Sequence, residues 1–266
     1  MPDPHPPPAA WKVYLTTDRW GLIRWSLILL PAIVMLLIIV FNGVDIPYQD
    51  EFDTPFKEIL KDRLGHLTSS DLIRQYNESR KLIPTVVFLA LFHAFGYWNI
   101  KFQLYLTWGF GVAIVLALAF LGAQTANRKH PLYPWLSFLT LVCMSALIFS
   151  VSSYYRWLWG ITLHRLIPGF CLILSAITFT LNWHNLTKAL VMAGLATIAL
   201  FSFSGGIILG VVNLISLACL RGAKCEPILL YFLCLGLGYF NFFEDYVLPT
   251  QAAEKTTIAL GSSSLF

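Results

Sequence analysis

Long uncharged apolar runs constrain the fold of this chain more than any other feature. The first run extends from Trp25 to Phe41 without a charged residue, and comparable runs recur along the chain. A helix needs about 20 mostly apolar residues to cross the ~30 Å hydrocarbon core of a bilayer. Only 12% of residues are charged and the mean hydropathy is +0.68, whereas soluble domains carry about 25% charged residues. The chain is therefore predicted to be an all-α polytopic membrane protein.

Seven segments are long and apolar enough, or nearly so, to be transmembrane helices. They are 20–42, 101–123, 134–152, 162–182, 188–204, 207–220 and 227–243. An eighth apolar segment, Leu82 to Tyr97, reaches only ~24 Å as a helix and carries Pro84 in its first turn. We expect this segment to lie along the membrane interface or to dip into it. The predicted architecture is about seven transmembrane helices plus juxtamembrane helices in the first external loop.

The sequence divides into a membrane domain with a polar tail at each end. Residues 1–19 are rich in proline and are predicted to be disordered. Residues 20–245 form the membrane domain, and residues 43–81 are its first external loop. Within this loop, 56–64 and 69–76 are predicted to be short amphipathic helices, the second with Ser69 or Ser70 as its N-cap. Residues 246–266 are a polar tail, and its abrupt end leads us to expect a truncated chain.

The distribution of lysine and arginine predicts the orientation in the membrane. With the N-terminus inside and segment 82–97 not crossing, most cations of the later turns lie on the cytoplasmic side, as the positive-inside rule requires. They are Arg128, Lys129, Lys188, Arg221 and Lys224. If segment 82–97 crosses, the later turns invert and the rule fails. A third arrangement, with the N-terminus outside and residues 43–81 inside, agrees slightly better with the raw counts of lysine and arginine. Counting alone therefore does not decide the orientation.

Composition argues against two other classes of protein. The net charge is only +4, and no basic stripe with interleaved aromatic residues is present, so nucleic-acid binding has no support. The five cysteines match no metal-binding or redox spacing, and four of them lie in apolar runs. Membrane lipids are thus the expected surroundings, and no nucleic acid is an expected partner.

The concentration of acid in YQDEFD (48–53) predicts a chemical role for Asp50, Glu51 and Asp53. A carboxylate at the water–lipid boundary can deprotonate a hydroxyl or bind a divalent cation without entering hydrocarbon. Asp50 is the best candidate for a base, with Glu51 or Asp53 as its partner. The simpler alternative is that these acids form an ordinary solvated turn.

Further candidate residues are predicted to collect on the same face as YQDEFD. An arginine there can hold a phosphate bidentately, which favours Arg80, Arg156 or Arg165 as phosphate ligands. The aromatic residues beside Arg156 also fit an ordinary interfacial belt, and NESR (77–80) could cap a surface helix. The full set of candidate substrate-binding residues is Asn77, Glu78, Arg80, Tyr155, Arg156, Trp159, His164 and Arg165.

The order of these motifs resembles the GT-C superfamily of integral-membrane glycosyltransferases. Some members have a DEWD-like motif after the first span, then NEHR and later WLWG, and here the corresponding stretches read DEFD, NESR and WLWG. FSFSGG (201–206) is similar to the family's FSFANG. The resemblance runs from about residue 20 to 245 and is nearest to the protein mannosyltransferase and aminoarabinose transferase type. The chain departs from the family pattern at Ser79, which replaces the histidine of NEHR, and at Tyr155, where an acid or amide is usual.

The resemblance implies a polyprenyl-phosphate sugar donor and transfer of the sugar at the non-cytoplasmic face of a bacterial inner membrane. It maps the catalytic acid onto Asp50, with Glu51 adjacent, and a divalent cation at these two residues is one option. Two alternatives stay open. The same pocket could serve a transporter or flippase of a lipid-linked saccharide, or the chain could be an inactive truncated scaffold.

The orientation predicts which loops can be labelled from outside. In a cysteine-free background, a cysteine at position 53 should react with a membrane-impermeant thiol reagent in intact cells, because the first loop lies outside. A cysteine at position 127 should react only after permeabilisation. Labelling at position 127 alone would contradict this orientation.

Overall fold

The computed structural model describes residues 19–125, 133–219 and 225–247, which are mostly helical. The bundle helices are α1 (Arg19–Asn42), α5 (Ile100–Thr125), α6 (Tyr133–Ile148), α8 (Leu163–Thr180), α9 (Asn185–Leu200), α10 (Ile207–Ala218) and α11 (Cys225–Phe243). Between α1 and α5 lie α2 (Phe56–Arg63), α3 (Ser69–Leu72), β1 (Gln75–Tyr76), β2 (Ser79–Arg80) and α4 (Leu82–Phe95). The short α7 (Tyr154–Trp157) precedes α8, and 3₁₀ turns cover Gln49–Phe52, Val151–Ser153, Gly160–Thr162 and Ser204–Gly206.

Five helical segments are long and apolar enough to cross a membrane, which supports the predicted class. They are Trp20–Asn42, Ile100–Thr125, Trp135–Trp157, Gly160–Thr180 and Cys225–Phe243. Helices α9 and α10 are apolar but shorter, and at 1.5 Å per residue they reach only about 24 Å and 18 Å. The predicted count of about seven spans is therefore not confirmed.

The predicted tails lie largely outside the described residues. Of residues 1–19, only Arg19 is described, and it begins α1. Of residues 246–266, only Tyr246 and Val247 are described. The Tyr246 ring stacks on Phe242 with 5.9 Å between ring centroids, so the described start of this tail packs against the end of α11.

The first loop contains the predicted helix α2, but the second predicted helix is much shorter than 69–76. Helix α3 ends at Leu72, and β1 then pairs with β2 in an antiparallel hairpin. Thr68, rather than Ser69 or Ser70, is the N-cap, because its side chain accepts from the Asp71 N–H while Asp71 bonds back to the Thr68 N–H. Asn77 turns the hairpin with a φ of 50°, a left-handed conformation that asparagine tolerates well.

Most loops that carry chemically reactive residues meet at one end of the helix bundle. Asp45, just after α1, accepts a 2.7 Å hydrogen bond from the Ile100 N–H and so caps the start of α5. We call this end the polar end and define it by residues 43–81, 150–162, 201–206 and 244–247. It gathers the last residues of α1, α6, α9 and α11 and the first residues of α5, α8 and α10.

Both ends of α4 lie at the polar end. At its start, the Ile83 N–H donates to the Phe201 carbonyl that follows α9. Near its other end, His93 Nε2 lies 2.9 Å from Asp62 Oδ2 in α2. The Phe95 ring then packs on Phe102 in the first turn of α5, with 4.3 Å between centroids. Helix α4 thus begins and ends on the same side, as expected for a segment that does not cross.

Polar side chains inside the bundle bond to neighbouring helices. The Trp108 indole of α5 donates to the Ala32 carbonyl of α1 at 2.8 Å, next to Pro31 inside that helix. The Asn213 amide of α10 donates to the Met192 carbonyl of α9 and to the Ser175 hydroxyl of α8. Because lipid offers no hydrogen bonds, such contacts fix the relative positions of apolar helices.

Arg80 fastens the first loop to the end of α11. Its guanidinium donates to three backbone carbonyls, those of Phe242 at 2.8 Å, Ile73 at 2.6 Å and Glu244. The residue is only 6% exposed. The planar guanidinium suits this role because it directs several donors along fixed vectors, which the single ammonium of lysine cannot match.

We therefore expect Arg80→Lys to destabilise the folded protein. Lysine cannot reach all three carbonyls, and each lost hydrogen bond to a charged group is worth about 1.5–3 kcal/mol. For a chain of this size, losing one such bond lowers the Tm by about 3–12 °C. The measurement is thermal unfolding in detergent followed by tryptophan fluorescence, with the exposed Arg63→Lys as the matched control. Equal Tm values for the two variants would contradict the role assigned to Arg80.

Candidate active site

Hydrogen bonds and ring contacts join the predicted site segments at the polar end. The Trp159 indole donates to the Tyr48 carbonyl at 3.3 Å and so links YYRWLWG (154–160) to YQDEFD. The Ser204 N–H donates to the Ser79 hydroxyl at 3.1 Å and links FSFSGG to NESRK (77–81). These bonds join the four stretches in two pairs, and the Arg165 side chain, which lies against both Trp159 and Phe203, links the two pairs.

The 3₁₀ turn Gln49–Phe52 directs Glu51 away from the other two predicted catalytic acids. Residues three apart eclipse one another in a 3₁₀ helix, so Asp50 and Asp53 share a side and Glu51 points elsewhere. Asp53 forms an ion pair with Lys57 one turn later, and both side chains are about half exposed (49% and 51%). An exposed pair of this kind contributes little to stability.

Glu51 is directed into the protein and is only 1% exposed. Its Oε2 accepts from the Tyr48 N–H at 2.8 Å, and its Oε1 accepts from the Ile161 N–H at 3.1 Å. Burial raises the pKa of this carboxyl, and the backbone N–H groups partly oppose the rise. The Glu51 carboxylate is thus occupied in joining two backbone segments.

The option of a divalent cation shared by Asp50 and Glu51 does not fit this arrangement. Both Glu51 oxygens already accept N–H groups, and the side chain is enclosed. Within residues 19–125, 133–219 and 225–247, no group of three or more His, Cys, Asp or Glu side chains could hold a metal ion.

Asp50 lies on the other side of the turn, beside Tyr76 and Lys81. Burial and the Asp50 carboxylate both raise the pKa of the Tyr76 phenol. The Lys81 ammonium lies 3.7 Å from the centroid of the Tyr76 ring, which is close enough for a cation–π contact. The Asp50 carboxylate and the Lys81 ammonium therefore both lie beside the same tyrosine.

Lys81 is a site residue that the sequence prediction missed. It is 6% exposed, and burial lowers the pKa of its ammonium to about 8. Asp50 and Glu78 favour the charged form, whereas the positive charge of Arg165 opposes it. The available signal was its position as the last charged residue before the apolar run of α4. A lysine in this position is also typical of an anchor at the membrane interface, so the sequence alone did not identify Lys81 as a site residue.

Arg165 brings a second cation to the same region from the first turn of α8. Its guanidinium carbon lies 5.7 Å from the Trp159 ring centroid and 5.9 Å from that of Phe203. The neighbouring His164 is buried, its Nδ1 bonds to the Ile161 carbonyl and its ring lies 5.3 Å from Phe203. The two aromatic rings thus flank the arginine while the histidine fixes the start of the helix.

Other predicted site residues lie apart from this group. Arg156 is exposed, donates to the Tyr155 hydroxyl at 3.0 Å and stacks on the same ring. Asn77 and Glu78 form the exposed hairpin turn, where the Asn77 and Glu78 carbonyls accept from the side chains of Gln75 and Tyr246. Phosphate binding by Arg80 or Arg156 stays a prediction, and the contacts described here serve loop structure.

The site therefore combines two cations and one acid at the boundary of an apolar bundle. In the described part of the chain, neither Lys81 nor Arg165 belongs to any of the four side-chain ion pairs. A phosphate placed between them would gain two charge-assisted interactions. Asp50, close to Lys81, could accept a proton from a hydroxyl bound beside that phosphate.

Comparison of the chain with protein-family models, with curated proteins and with solved structures finds no match in any of the three.

The lowered pKa of Lys81 predicts that anion binding weakens as the pH rises through about 8. The second ionisation of a phosphate monoester, near pKa 6, is complete below this pH, so the lysine alone changes charge. We expect the affinity for a short-chain polyprenyl phosphate to fall about tenfold between pH 7 and 9.5. This factor corresponds to the free energy of one charge-assisted hydrogen bond. Lys81→Arg should remove this pH dependence, and Lys81→Met should bind weakly at every pH.

Unfolding does not account for this loss of binding. Between pH 8 and 10.5 the unfolded chain holds more protons at Lys81 than the folded chain, so the contribution of this residue to stability rises with pH. An affinity that stays constant to pH 9.5 in the unmodified chain would contradict the placement of Lys81 in the anion site.

Proposed function

We propose that this chain is a membrane glycosyltransferase that moves a sugar from a polyprenyl-phosphate donor to an acceptor hydroxyl. The observation that carries the proposal is the arrangement of Asp50 beside Lys81, with Arg165 nearby, at the end of an apolar helix bundle. A base and two phosphate-binding cations are what such a transfer needs. The lipid chain of the donor stays in the bilayer beside the helices while its headgroup lies at the polar end.

The two cations hold the donor phosphate and stabilise it as it leaves. Negative charge grows on the phosphate oxygen as its bond to the sugar breaks. Fixed cations near hydrocarbon stabilise that charge more strongly than water does, because the local dielectric constant is low. Trp159 and Phe203 hold the Arg165 guanidinium against their rings, which restricts its orientation and keeps it directed at the phosphate.

Asp50 removes the proton of the attacking hydroxyl. The acceptor oxygen forms a bond to the anomeric carbon, and the bond from that carbon to the phosphate oxygen breaks. The electron pair of the broken bond stays with the lipid phosphate, and the proton passes to Asp50. Attack opposite the leaving group inverts the anomeric configuration. No metal ion is needed for this balance of atoms and charge.

The remaining predicted residues support the site in this proposal. Arg80 keeps NESRK against α11, and Glu51 keeps the turn of Asp50 against the start of α8. The bundle lies in a bacterial inner membrane with the first loop on the non-cytoplasmic side. Helices α9 and α10 form the two short spans that complete a count of about seven.

The direct test is Asp50→Asn, which keeps the size of the side chain but removes the base. Loss of a general base costs about 10²–10⁴-fold in rate, so sugar transfer from a polyprenyl-phosphate sugar in liposomes should fall by that factor. Asp53→Asn is the matched control in the same turn and should retain activity. Arg165→Lys should also slow transfer, because a point charge replaces a planar fork.

Full activity of Asp50→Asn would contradict the proposed role of this residue and favour the alternative that YQDEFD is an ordinary solvated turn. Donor binding without transfer in the unmodified chain would favour the transporter. A chain that neither binds nor transfers, but gains both in a longer homologous protein, would favour the truncated scaffold.

A further inference from the structure

Three buried groups meet where the first loop, α5 and the Gly160–Thr162 turn come together. They are the Glu51 carboxylate, the Gly160 backbone and the Gln103 side-chain amide. Glu51 and Gln103 are each only 1% exposed, although both are strongly polar. Burial of a polar group is costly unless it bonds to a partner, so this junction requires an explanation.

Glu51 connects two backbone segments that carry the candidate site. Its two oxygens accept the N–H groups of Tyr48 and Ile161, at 2.8 Å and 3.1 Å. Asp50 lies in the same 3₁₀ turn as Glu51, and Arg165 lies one helical turn beyond Ile161. The position of one carboxylate therefore sets the spacing between the proposed base and one phosphate-binding cation.

Glycine at position 160 leaves the space in which this contact forms. A Cβ atom at position 160 would lie 2.7 Å from Glu51 Oε1 and 2.6 Å from Gln103 Oε1. Separations this short do not occur between real Cβ atoms and oxygens, and both side chains are enclosed and cannot retreat freely. The missing side chain is what lets the carboxylate reach the Ile161 N–H.

Gln103 is placed to be the third member of the junction. Among the described atoms, its Oε1 and Nε2 are both buried without a hydrogen-bond partner. An unsatisfied buried group costs about 1–3 kcal/mol. Gln103 Oε1 and Glu51 Oε1 both face the Cβ position of residue 160, at 2.6 Å and 2.7 Å. A half turn of the amide exchanges Oε1 for Nε2 and so turns a donor toward the side of the carboxylate.

We propose that Glu51 is a positioning residue that forms, with Gly160 and Gln103, a buried latch holding Asp50 at a fixed distance from Arg165. This inference rests on the proposed function, in which Asp50 acts on the attacking hydroxyl and Arg165 on the departing phosphate. Asp50 lies in the first loop and Arg165 in the first turn of α8. Displacement of a reacting group by about 1 Å can cost 10²-fold in rate. The latch thus links the residue that removes the proton, Asp50, rigidly to the residue that stabilises the departing phosphate, Arg165.

The first experiment measures the latch without any assay of activity. Hydrogen–deuterium exchange is followed in the full chain, in detergent, for the peptides that contain Tyr48 and Ile161. Glu51→Gln keeps one acceptor oxygen and replaces the other by an NH₂ group, so it removes one of the two backbone bonds. Exchange in at least one of the two peptides should become about 10–100-fold faster. This factor corresponds to the free energy of one hydrogen bond to a charged group. Asp53→Asn, in the same turn, should leave exchange unchanged.

The second experiment tests whether the latch matters for the reaction. Gly160→Ala inserts a methyl group between Glu51 and Gln103, whereas Gly169→Ala in α8 meets nothing within 4 Å and is the matched control. For Gly160→Ala we expect kcat to fall about 10²-fold while the donor KM changes less than about threefold, because the cations that bind the phosphate are retained. Rates are expressed per folded molecule, because a general loss of folding lowers the amount of active protein and leaves the kcat of each folded molecule unaltered.

These outcomes separate the latch from the proposed function. Unchanged exchange in Glu51→Gln would overturn the latch, whatever the activity. Faster exchange with an unchanged kcat in both Glu51→Gln and Gly160→Ala would overturn its role in positioning. If the unmodified chain transfers no sugar, the proposed function fails, and the exchange measurement still decides whether Glu51 joins the two loops.

Discussion

Hydrocarbon cannot hydrogen-bond a peptide group, and the rest of this structure depends on that constraint. Each unpaired N–H or C=O inside a bilayer costs several kcal/mol, so segments that cross it must be helices with every backbone bond made internally. Irregular backbone is then confined to the ends of the bundle. The long first loop, the YYRWLWG turn and FSFSGG all lie at one such end. Side chains suited to chemistry collect there because only there can a charged group lie beside water while its loop is packed against apolar helices.

The same constraint explains why two buried charged residues bond to backbone rather than to each other. Arg80 donates to the three carbonyls of Ile73, Phe242 and Glu244, while Glu51 accepts from two N–H groups. The cation satisfies carbonyls at and just beyond the C-terminal ends of helices, and the anion satisfies N–H groups in tight turns. Both residues stand next to the residues proposed to act on substrate, Lys81 and Asp50. Each loop thus has two adjacent charged residues with different roles. Arg80 and Glu51 stabilise the loops, while Lys81 and Asp50 are left to interact with a ligand.

The sequence predicted the elements that depend on local pattern. The apolar runs predicted the positions of α1, α5, α8 and α11, and the apolar stripe of 56–64 predicted α2. The second loop helix was predicted too long, because a capping box at Thr68 and a hairpin at Asn77 compete with the helical pattern. The separation of Asp50 from Glu51 could not be predicted, since it depends on the 3₁₀ turn and on a glycine more than 100 residues away. Lys81 was missed for a related reason: its environment is created by Asp50 and Arg165, which only the fold brings near.

The most direct measurement of the central claim is an experimental structure of the full chain in lipid nanodiscs with polyprenyl phosphate bound. The account predicts phosphate oxygens within about 2.7–3.2 Å of the Lys81 ammonium and the Arg165 guanidinium, beside Asp50, with Arg80 still bound to its carbonyls. A phosphate held by Arg156 on the exposed surface would contradict the account. So would a phosphate in the groove of about 420 Å³ at the opposite end of the bundle, which Thr125, Ser175 and Asn213 line.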